Sequence, residues 1–482
     1  MSVTLLPLAI GVPALAGYGY LQLKQHSTPA AARALAGTRD VARLTPKQVE
    51  RTARRLRTLD KHAEPAETGV ALGRLMPHGP ALRAPWRDVA VAVMAPGAGK
   101  TTALAVPATF EAPGPVVATS NKRDLYDITR NRRGKSRLFD PQHITGESQA
   151  MWFDLLAPVD DVESAERFAS HFIGTVDDDA KRDIWGPGAS ELLAGFALAA
   201  HYGRRTILDI YDWLSNPLDA AAVDILHTAG FDQVANGVAG IMREPEKTRA
   251  GYYTTARVAA KCLRNPAIAA WVTPNKFLPQ FDPHDFVRSR DALHLLSKDG
   301  GGSAAPLVAA GTDAVIRAGI EYAEQQNGGR LDVPLLLVLD EAANVCKIAD
   351  LPKLYSHLGS RNIFALTILQ SYAQGSHAWG SVGMKELWGA ATVKLIGPGM
   401  DDGGFGQDLS RLIGDHDVPT TSYGSGHSGS SRNRAMRRDP IMSAADIRAL
   451  KLGTALLFAT GSKPALVKLQ PYYEDKRWRH AA

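Results

Sequence analysis

The chain has 482 residues, too many for one hydrophobic core of ordinary size, so we expect two or three domains. Its composition, 45% hydrophobic and 22% charged, is typical of a soluble globular protein and excludes a largely disordered chain. The formal net charge of +6 permits a nucleic-acid partner without requiring one. Cys262 and Cys346 have no metal-site spacing, which predicts buried, reduced thiols in a cytoplasmic domain.

The amino-terminal end is apolar. Residues 3–23 carry no charge and are long enough to cross a bilayer, at roughly 20 residues, so we predict a membrane anchor over residues 1–25. Lysine and arginine follow it, which places the rest of the chain in the cytoplasm. A half-buried helix or an apolar leader is the alternative. Residues 26–68 predict a linker and a basic helix that Thr45 caps and Pro46 begins, with a solvated basic face favoured over contact with lipid or DNA.

A phosphate-binding loop is predicted within residues 88–102, DVAVAVMAPGAGKTT. A short apolar strand leads into a glycine-rich turn and then a helix start, so backbone N–H groups and a helix N-terminus point at the phosphates. Lys100 is expected to reach the β- and γ-phosphates, and the Thr101 hydroxyl to bind Mg²⁺. The nucleotide-binding residues are predicted to be Pro96, Gly97, Ala98, Gly99, Lys100, Thr101 and Thr102.

One position departs from the loop consensus. The pattern G-x-x-x-x-G-K-[ST] requires glycine where this chain has Met94, and Gly97 is then the source of flexibility. The alternative is a turn followed by an ordinary helix.

Apolar runs alternate with helical stretches in residues 69–157 and 281–482. This pattern predicts an α/β nucleotide-binding domain whose mainly parallel sheet is covered on both faces. Residues 158–280 show helical periodicity and almost no strand candidates, which predicts an inserted all-helical domain. Basic residues near Tyr252 and Tyr253 favour an amphipathic helix with a solvated face over a nucleic-acid or protein contact.

The strongest single signal is VPLLLVLDEAANV at residues 333–345, a buried strand that ends in two carboxylates. Ligands bind at the carboxyl ends of strands in open α/β sheets. We therefore assign Asp340 to Mg²⁺ and Glu341 to the attacking water. An acidic helix cap is the alternative.

The next strand, residues 363–370, is expected beside it. Gln370 ends this strand and is predicted to sense the γ-phosphate or hold the water, unless it only satisfies the strand end. Arg361 precedes the strand and would lie at the far edge of the sheet. From there it cannot reach its own subunit's phosphate but can reach a neighbour's, as an arginine finger does. A surface arginine is the alternative.

These motifs carry a family resemblance. LLLVLDEAANV and DLPKLYSHLGSRNIFALTILQSYAQ, with PVVATSNKRDL, RLFDPQ and LSKDGGGSAAPLVAA, resemble the TraG/TraD-like coupling proteins of conjugation and type IV secretion, of the actinobacterial type. The resemblance covers about residues 70 to 475.

The resemblance implies a RecA-like P-loop ATPase that uses ATP and Mg²⁺ and forms a homo-hexamer at the cytoplasmic face of the inner membrane. Its implied partners are single- or double-stranded DNA, relaxase or relaxosome proteins and the secretion channel. The family's nucleotide motifs fall on Lys100, Thr101, Asp340, Glu341 and Gln370, and its arginine finger falls on Arg361. Met94 and a short membrane region depart from the family pattern. An FtsK/HerA-like DNA translocase and a recruitment platform that does not hydrolyse ATP remain alternatives.

The carboxyl-terminal part ends in a predicted hairpin of residues 454–460 and 464–470. Before it, Ser443 and Asp446 form a predicted capping box. Residues 420–438, TTSYGSGHSGSSRNRAMRR, predict a flexible basic loop, which either lines a channel in a ring or is a disordered surface loop.

Overall fold

The computed structural model describes residues 34–56, 65–132, 134–176, 179–300, 302–426 and 429–478. The predicted membrane anchor, residues 1–25, lies outside them. Among the residues that are described, no helix combines the length and the apolar composition needed to cross a membrane.

The strands follow one another along the chain in short segments of mostly apolar sequence. In chain order they are β1 Gly69–Leu75, β2 Ala81–Pro85, β3 Ala90–Val93, β4 Val116–Ser120, β5 Ser136–Phe139, β6 Trp152–Phe153, β7 Gln280–Phe281, β8 Ala292–Leu296, β9 Leu335–Leu339, β10 Ile363–Leu369, β11 Val393–Ile396, β12 Asp415–Gly426, β13 Gly429–Pro440, β14 Thr454–Ala459 and β15 Ala465–Lys468.

The helices fall between these strands, with the longest run of them between β6 and β7. They are α1 Pro46–Arg55, α2 Val106–Glu111, α3 Asp124–Thr129, α4 Val162–Ile173, α5 Asp179–Tyr202, α6 Ile207–Ser215, α7 Ala221–Thr228, α8 Asp232–Arg243, α9 Glu246–Ala259, α10 Pro266–Ala269, α11 Pro283–Phe286, α12 Ala305–Glu324, α13 Ala342–Val345, α14 Leu351–Leu358, α15 Tyr372–Ala390, α16 Gly403–Ile413 and α17 Ala444–Arg448.

In the described part of the chain, eleven strands form one sheet in the order β2-β1-β15-β14-β11-β3-β10-β9-β4-β8-β5. The pairs from β11 to β5 are parallel, and β14, β15, β1 and β2 add an antiparallel edge. The predicted mainly parallel sheet is therefore confirmed, as is the place of β10 beside β9.

The central strands are buried on both faces because successive side chains alternate between two cores. In β9, Leu335, Leu337 and Leu339 face one apolar cluster, whereas Leu336 and Val338 face the other. The first cluster continues into the helices between β6 and β7. The second lies under α2 and the antiparallel edge. This double burial explains why β9 is apolar at every position.

The helices between β6 and β7 bury one tyrosine of the basic stretch and half-bury the other. Tyr253 is 1% exposed, and Tyr252 packs edge-on against Trp185 with ring centroids 5.5 Å apart. Burial raises the pKa of the Tyr253 phenol to about 12. The tyrosines therefore form no exposed stacking surface, which supports the solvated basic face.

Two local predictions are wrong. Thr45 does not cap α1 with its side chain, because its hydroxyl donates to the Ala42 carbonyl at 2.7 Å. The predicted loop at 420–438 instead belongs to an antiparallel pair, β12 with β13, whose register runs from Asp415 opposite Pro440 to Gly426 opposite Gly429. Glycine and serine indicated flexibility, but a twelve-residue ladder of backbone hydrogen bonds holds these strands together. By contrast, the Ser443–Asp446 capping box and the β14–β15 hairpin are confirmed.

Candidate nucleotide site

The candidate site lies at the carboxyl ends of three neighbouring parallel strands. In register, Leu369 of β10 is opposite Val93 of β3, and Thr367 is opposite Leu339 of β9. The residues that follow β3, β9 and β10 therefore meet at one edge of the sheet. Such an edge is where open α/β sheets bind ligands.

The loop after β3 has the conformation of a phosphate cradle. Gly97 and Gly99 have φ of 75° and 83°, which side chains other than glycine rarely adopt. Pro96 and Gly97 are exposed, whereas Ala98 is buried and anchors the loop. The chain then enters a π-helical turn, Thr101–Ala105, which continues into α2. The Thr102 hydroxyl donates a hydrogen bond to the Gly99 carbonyl at 3.2 Å, and this bond stabilises the turn of the loop.

Met94 is a core residue and not part of the cradle. It is 1% exposed, and its backbone N–H donates to the Leu369 carbonyl at 3.0 Å, so the position still belongs to the sheet. Its side chain packs over Gly397, where an added Cβ would lie 2.7 Å from the Met94 Cγ. The positive φ angles of the loop fall at Gly97 and Gly99, so this backbone does not require glycine at 94.

Lys100, Glu341 and Gln370 form one connected group. The Lys100 ammonium pairs with Glu341 Oε1, and the two side chains are only 11% and 7% exposed. The Gln370 side-chain amide donates to the other oxygen, Glu341 Oε2, at 2.7 Å. The Gln370 backbone N–H is in turn fixed by the side chain of Gln374 at 2.9 Å. The structure thus brings together three residues predicted from separate parts of the sequence.

Asp340 has the environment of a metal ligand. Its Oδ2 accepts a hydrogen bond from the Thr101 hydroxyl at 3.1 Å, whereas its Oδ1 is buried and has no hydrogen-bond partner. Burial raises the pKa of the Asp340 carboxyl; the Glu341 carboxylate adds to this rise and Lys100 opposes it. A buried carboxylate oxygen without a partner beside a threonine hydroxyl fits a hard cation such as Mg²⁺.

Glu341 stands on a strained backbone. Its φ and ψ are 54° and 39°, in the left-handed region, which costs a residue with a side chain on the order of 1 kcal/mol or more. Such strain concentrates at functional sites, where the fold holds one side chain in a required direction. Here the turn directs Glu341 toward Lys100 and Gln370 instead of along the strand.

Sequence reasoning missed one residue that supports the site. The Thr119 hydroxyl, near the end of β4, donates to the Asp340 backbone carbonyl at 3.3 Å. The available signal was a polar residue that ends an apolar strand, the same signal that identified Gln370.

Arg361 lies at the amino-terminal ends of the parallel strands, opposite the nucleotide site. It precedes β10, whereas Gln370 follows it, and nine residues of extended chain span roughly 30 Å. Its guanidinium pairs with Glu324 of α12 at 2.7 Å, while its Nε is buried without a hydrogen-bond partner. The structure therefore does not bring Arg361 to the Lys100 site of the same chain.

The cysteines take no part in the site. Cys262 and Cys346 are buried and free, and burial raises the pKa of each thiol to about 12. Among the described residues, no group of three or more histidine, cysteine, aspartate or glutamate side chains could hold a metal ion. Thr101 and Asp340, whose side chains are hydrogen-bonded to each other, are the residues that would hold Mg²⁺ beside the phosphates.

Comparisons with known proteins identify one matching family model and several similar folds. A family model described as the TraM recognition site of TraD and TraG matches residues 334–452. The fold is similar to that of the bacterial conjugative coupling protein TrwBdeltaN70 in its unbound monoclinic form, with a TM-score of 0.60, 17% identity, and coverage of 89% of this chain and 92% of that one. A search of curated proteins finds no match.

Two further structures of TrwB match with a TM-score of 0.58 at 16% identity, each over 89% of this chain and 92% of that chain. One is a complex with the non-hydrolysable GTP analogue GDPNP, and the other a complex with ADP and Mg²⁺. The fold has RecA-like architecture, and the P-loop and strand-end motifs lie where open α/β sheets bind ligands. The match of residues 334–452 to a TraD and TraG family model agrees with the resemblance that the motifs predicted.

Proposed function

We propose that this protein is an ATP-hydrolysing coupling protein, which recruits a relaxase–DNA complex and drives conjugative DNA transfer through a type IV secretion channel. One observation carries the proposal: Lys100, Asp340, Glu341 and Gln370 meet at three adjacent strand ends, and one buried Asp340 oxygen has no partner. The resemblance to a conjugative coupling protein of known structure supports the transfer function.

In this proposal, Lys100 and the loop N–H groups bind the ATP phosphates. Thr101 and Asp340 would hold Mg²⁺, which supplies positive charge to the phosphate oxygens. The γ-phosphate competes with Glu341 for the Lys100 ammonium. Once Lys100 turns to the phosphate, Glu341 Oε1 can accept a proton from the attacking water. Gln370, already bound to Glu341 Oε2, orients that water.

The proposal includes a homo-hexameric ring, because Arg361 lies at the far edge of the sheet from its own site. In a head-to-tail ring, one edge of each subunit faces the nucleotide of the next. Arg361 would then leave Glu324 and stabilise the charge that develops on the neighbour's γ-phosphate.

The proposed partners are double- or single-stranded DNA, relaxosome proteins and the secretion channel. The family described as a TraM recognition site covers residues 334–452, so we assign relaxosome recognition to this part of the chain. We also propose a position at the cytoplasmic face of the inner membrane, anchored by residues 1–25. Extraction of cell membranes with alkaline carbonate tests the anchor: the full chain should stay in the pellet, and release into the supernatant would contradict it.

The deciding experiment is ATP hydrolysis by the full chain in mild detergent, with and without single- and double-stranded DNA. Lys100→Ala and Glu341→Gln should each lower turnover at least a hundredfold, whereas Glu341→Gln should still bind ATP. Lys385 and Glu386 are adjacent exposed residues on α15, so Lys385→Ala and Glu386→Gln are matched controls that should keep wild-type turnover.

The outcomes separate the alternatives. Hydrolysis that DNA stimulates and that both site variants lose supports the motor. A protein that binds ATP but turns over none of it, at concentrations that permit a ring, is a recruitment platform instead. An FtsK/HerA-like translocase would hydrolyse ATP with DNA but would not bind a relaxase in a pull-down assay.

A further inference from the structure

Strands β12 and β13 form a projecting two-stranded ribbon, residues 415–426 and 429–440, which we call the ribbon. Its twelve cross-strand pairs extend about 40 Å at about 3.4 Å per residue. The ribbon is attached at its base, where the Ile441 N–H donates to the Gly414 carbonyl at 3.0 Å. The flanking residues Ile413 and Met442 are buried, but no ribbon residue whose exposure is described, 415–420 and 434–440, is buried.

The ribbon contributes little to the stability of the fold. A two-stranded hairpin with two free edges is at best marginally stable in water, and this one buries none of its described side chains in a core. Exposed strand edges also present unpaired N–H and C=O groups that can pair with another chain, and folded proteins usually cover them. A long exposed ribbon is therefore best explained by a partner that it contacts outside the chain.

Charge is segregated along the ribbon. The acidic residues Asp415, Asp417 and Asp439 all lie within the three pairs nearest the base. Beyond them the ribbon carries arginine together with serine, threonine, asparagine and glycine, and no acidic residue. Of the two arginines closest to the base, Arg438 lies opposite Asp417, and Arg437 is neutralised by a bidentate pair with Asp439 at 2.7 Å.

The two arginines farther from the base, Arg432 and Arg434, lie on the same face of the ribbon. Alternate residues of a strand lie on the same face, so Arg432 and Arg434 occupy the same side of β13. The residues opposite them are Tyr423 and Thr421. By register, this side of the outer ribbon, which we call its outer face, therefore carries Arg432, Arg434, Tyr423 and Thr421, and the sequence has no acidic residue there to compete with a phosphate.

We propose that the ribbon binds duplex DNA, with its outer face on the phosphates that line the major groove. A two-stranded β-ribbon is the size that the major groove of B-form DNA admits. Single-strand binding typically relies on several aromatic side chains that stack on bases, whereas the ribbon has a single aromatic residue, Tyr423. The inference rests on the proposed function, because it supplies the element with which a DNA motor contacts the duplex.

The test measures binding of the full chain to a fluorescent 30-base-pair duplex and to its single strand by anisotropy, without nucleotide, over a range of salt concentrations. The double variant Arg432→Gln/Arg434→Gln should lower duplex affinity roughly 60-fold at 0.1 M salt. It should also reduce the slope of log K against log salt by about 2, because each phosphate contact contributes about 0.9. Arg432→Lys/Arg434→Lys keeps both charges and should retain most of the affinity and the slope.

Lys353→Gln/Lys385→Gln is the charge-matched control, since these exposed lysines lie on α14 and α15. It should bind DNA as the wild type does. Unchanged melting temperature and unchanged basal ATP hydrolysis of the ribbon variant would establish that the fold is intact. Equal duplex affinity and salt slope in the ribbon variant and the wild type would overturn the proposal, as would a defect confined to single-stranded DNA or to a protein partner.

The measurement also separates this proposal from the proposed function. If the wild type neither binds DNA nor hydrolyses ATP, the motor itself is wrong. If the wild type does both and the ribbon variant binds duplex DNA equally well, only the ribbon assignment fails.

Discussion

At the scale of single residues, Met94 shows how a phosphate loop is built without its first consensus glycine. The side chain fills space over Gly397, and the loop turns at Gly97 and Gly99. The position therefore contributes to the core and not to phosphate affinity.

We accordingly expect Met94→Gly to lower the free energy of unfolding by about 3 kcal/mol, because it leaves a cavity in a buried site. Affinity for a fluorescent ATP analogue should not improve. Met94→Leu conserves the volume and should cost less than about 1.5 kcal/mol. Denaturant unfolding and nucleotide titration check both points, and tighter nucleotide binding by Met94→Gly would show that methionine impairs the loop.

His294 is a second informative residue, because it is a buried imidazole in the sheet. Its ring nitrogens lie 2.9 Å from the Thr129 hydroxyl and 3.2 Å from the Ser136 hydroxyl, and Tyr126 packs edge-on against it. Burial lowers the pKa of the His294 imidazole to about 4, so the folded state resists protonation.

The sign of the pH dependence follows from that shift. The unfolded chain binds this proton near pH 6.5 and the folded chain only near pH 4, so stability falls as the pH drops through this window. Between pH 7 and pH 5 we expect a loss of about 2 kcal/mol from His294. Denaturant unfolding at both pH values should show that His294→Gln loses correspondingly less. An identical loss in the variant would mean that His294 titrates normally.

At the scale of elements, a short segment links the nucleotide site to the helices between β6 and β7. Residues 342–350 directly follow Glu341. Within them, the Lys347 ammonium donates to the Gly174 carbonyl at the end of α4, at 2.8 Å. Asp350 pairs with Arg317 of α12.

The same helix α12 also contacts α4. Arg317 also bonds Asp313 at 3.2 Å, and Asp313 faces the buried His171 of α4 at 3.5 Å. Two polar connections thus join α4 to the segment that follows Glu341, one through Lys347 and one through α12.

We expect Lys347→Met to uncouple α4 from the nucleotide site. In the wild type, a non-hydrolysable ATP analogue should change the hydrogen-exchange protection of residues 168–176, and the variant should lose most of that change while its ATP affinity stays within threefold. Lys353→Met, on the exposed face of α14, serves as the control. If residues 168–176 respond equally in the variant, the connection carries no nucleotide signal.

At the level of the whole molecule, the hydrolytic residues lie at the carboxyl ends of the parallel strands. Arg361 lies at their amino-terminal ends, about 30 Å away. A ring makes a specific prediction from this distance. Lys100→Ala and Arg361→Ala should each be inactive alone, but mixed in equal amounts they should regain about a quarter of wild-type turnover.

The expected quarter of wild-type turnover follows because a complete site needs an intact Lys100 on one subunit and an intact Arg361 on its neighbour, each with a probability of one half. The rate of ATP hydrolysis after the two variants are assembled together measures the recovered turnover. Mixing Lys100→Ala with Glu341→Gln is the control, since both defects lie at the same edge and every site stays incomplete. Absence of recovery in the first mixture would exclude an arginine supplied by the neighbour.

Features that depend on local pattern could be predicted from the amino-acid sequence alone. Buried parallel strands such as β9 are apolar at every position, and polar residues at their ends mark the ligand edge, so Lys100, Asp340 and Gln370 could be identified without coordinates. The adjacency of β9 and β10 followed from the tendency of successive parallel strands to neighbour each other.

Features that depend on distant partners in the chain became visible only in the folded structure. Met94 proved compatible with the loop because Gly397, some 300 residues later, leaves space for it. The ribbon was predicted as a loop because its stability comes from cross-strand hydrogen bonds, which glycine- and serine-rich sequence does not reveal. The unpartnered Asp340 oxygen likewise results from how three strand ends converge. Local sequence encodes periodicity and turn chemistry, whereas close packing between distant segments is fixed only when the chain folds.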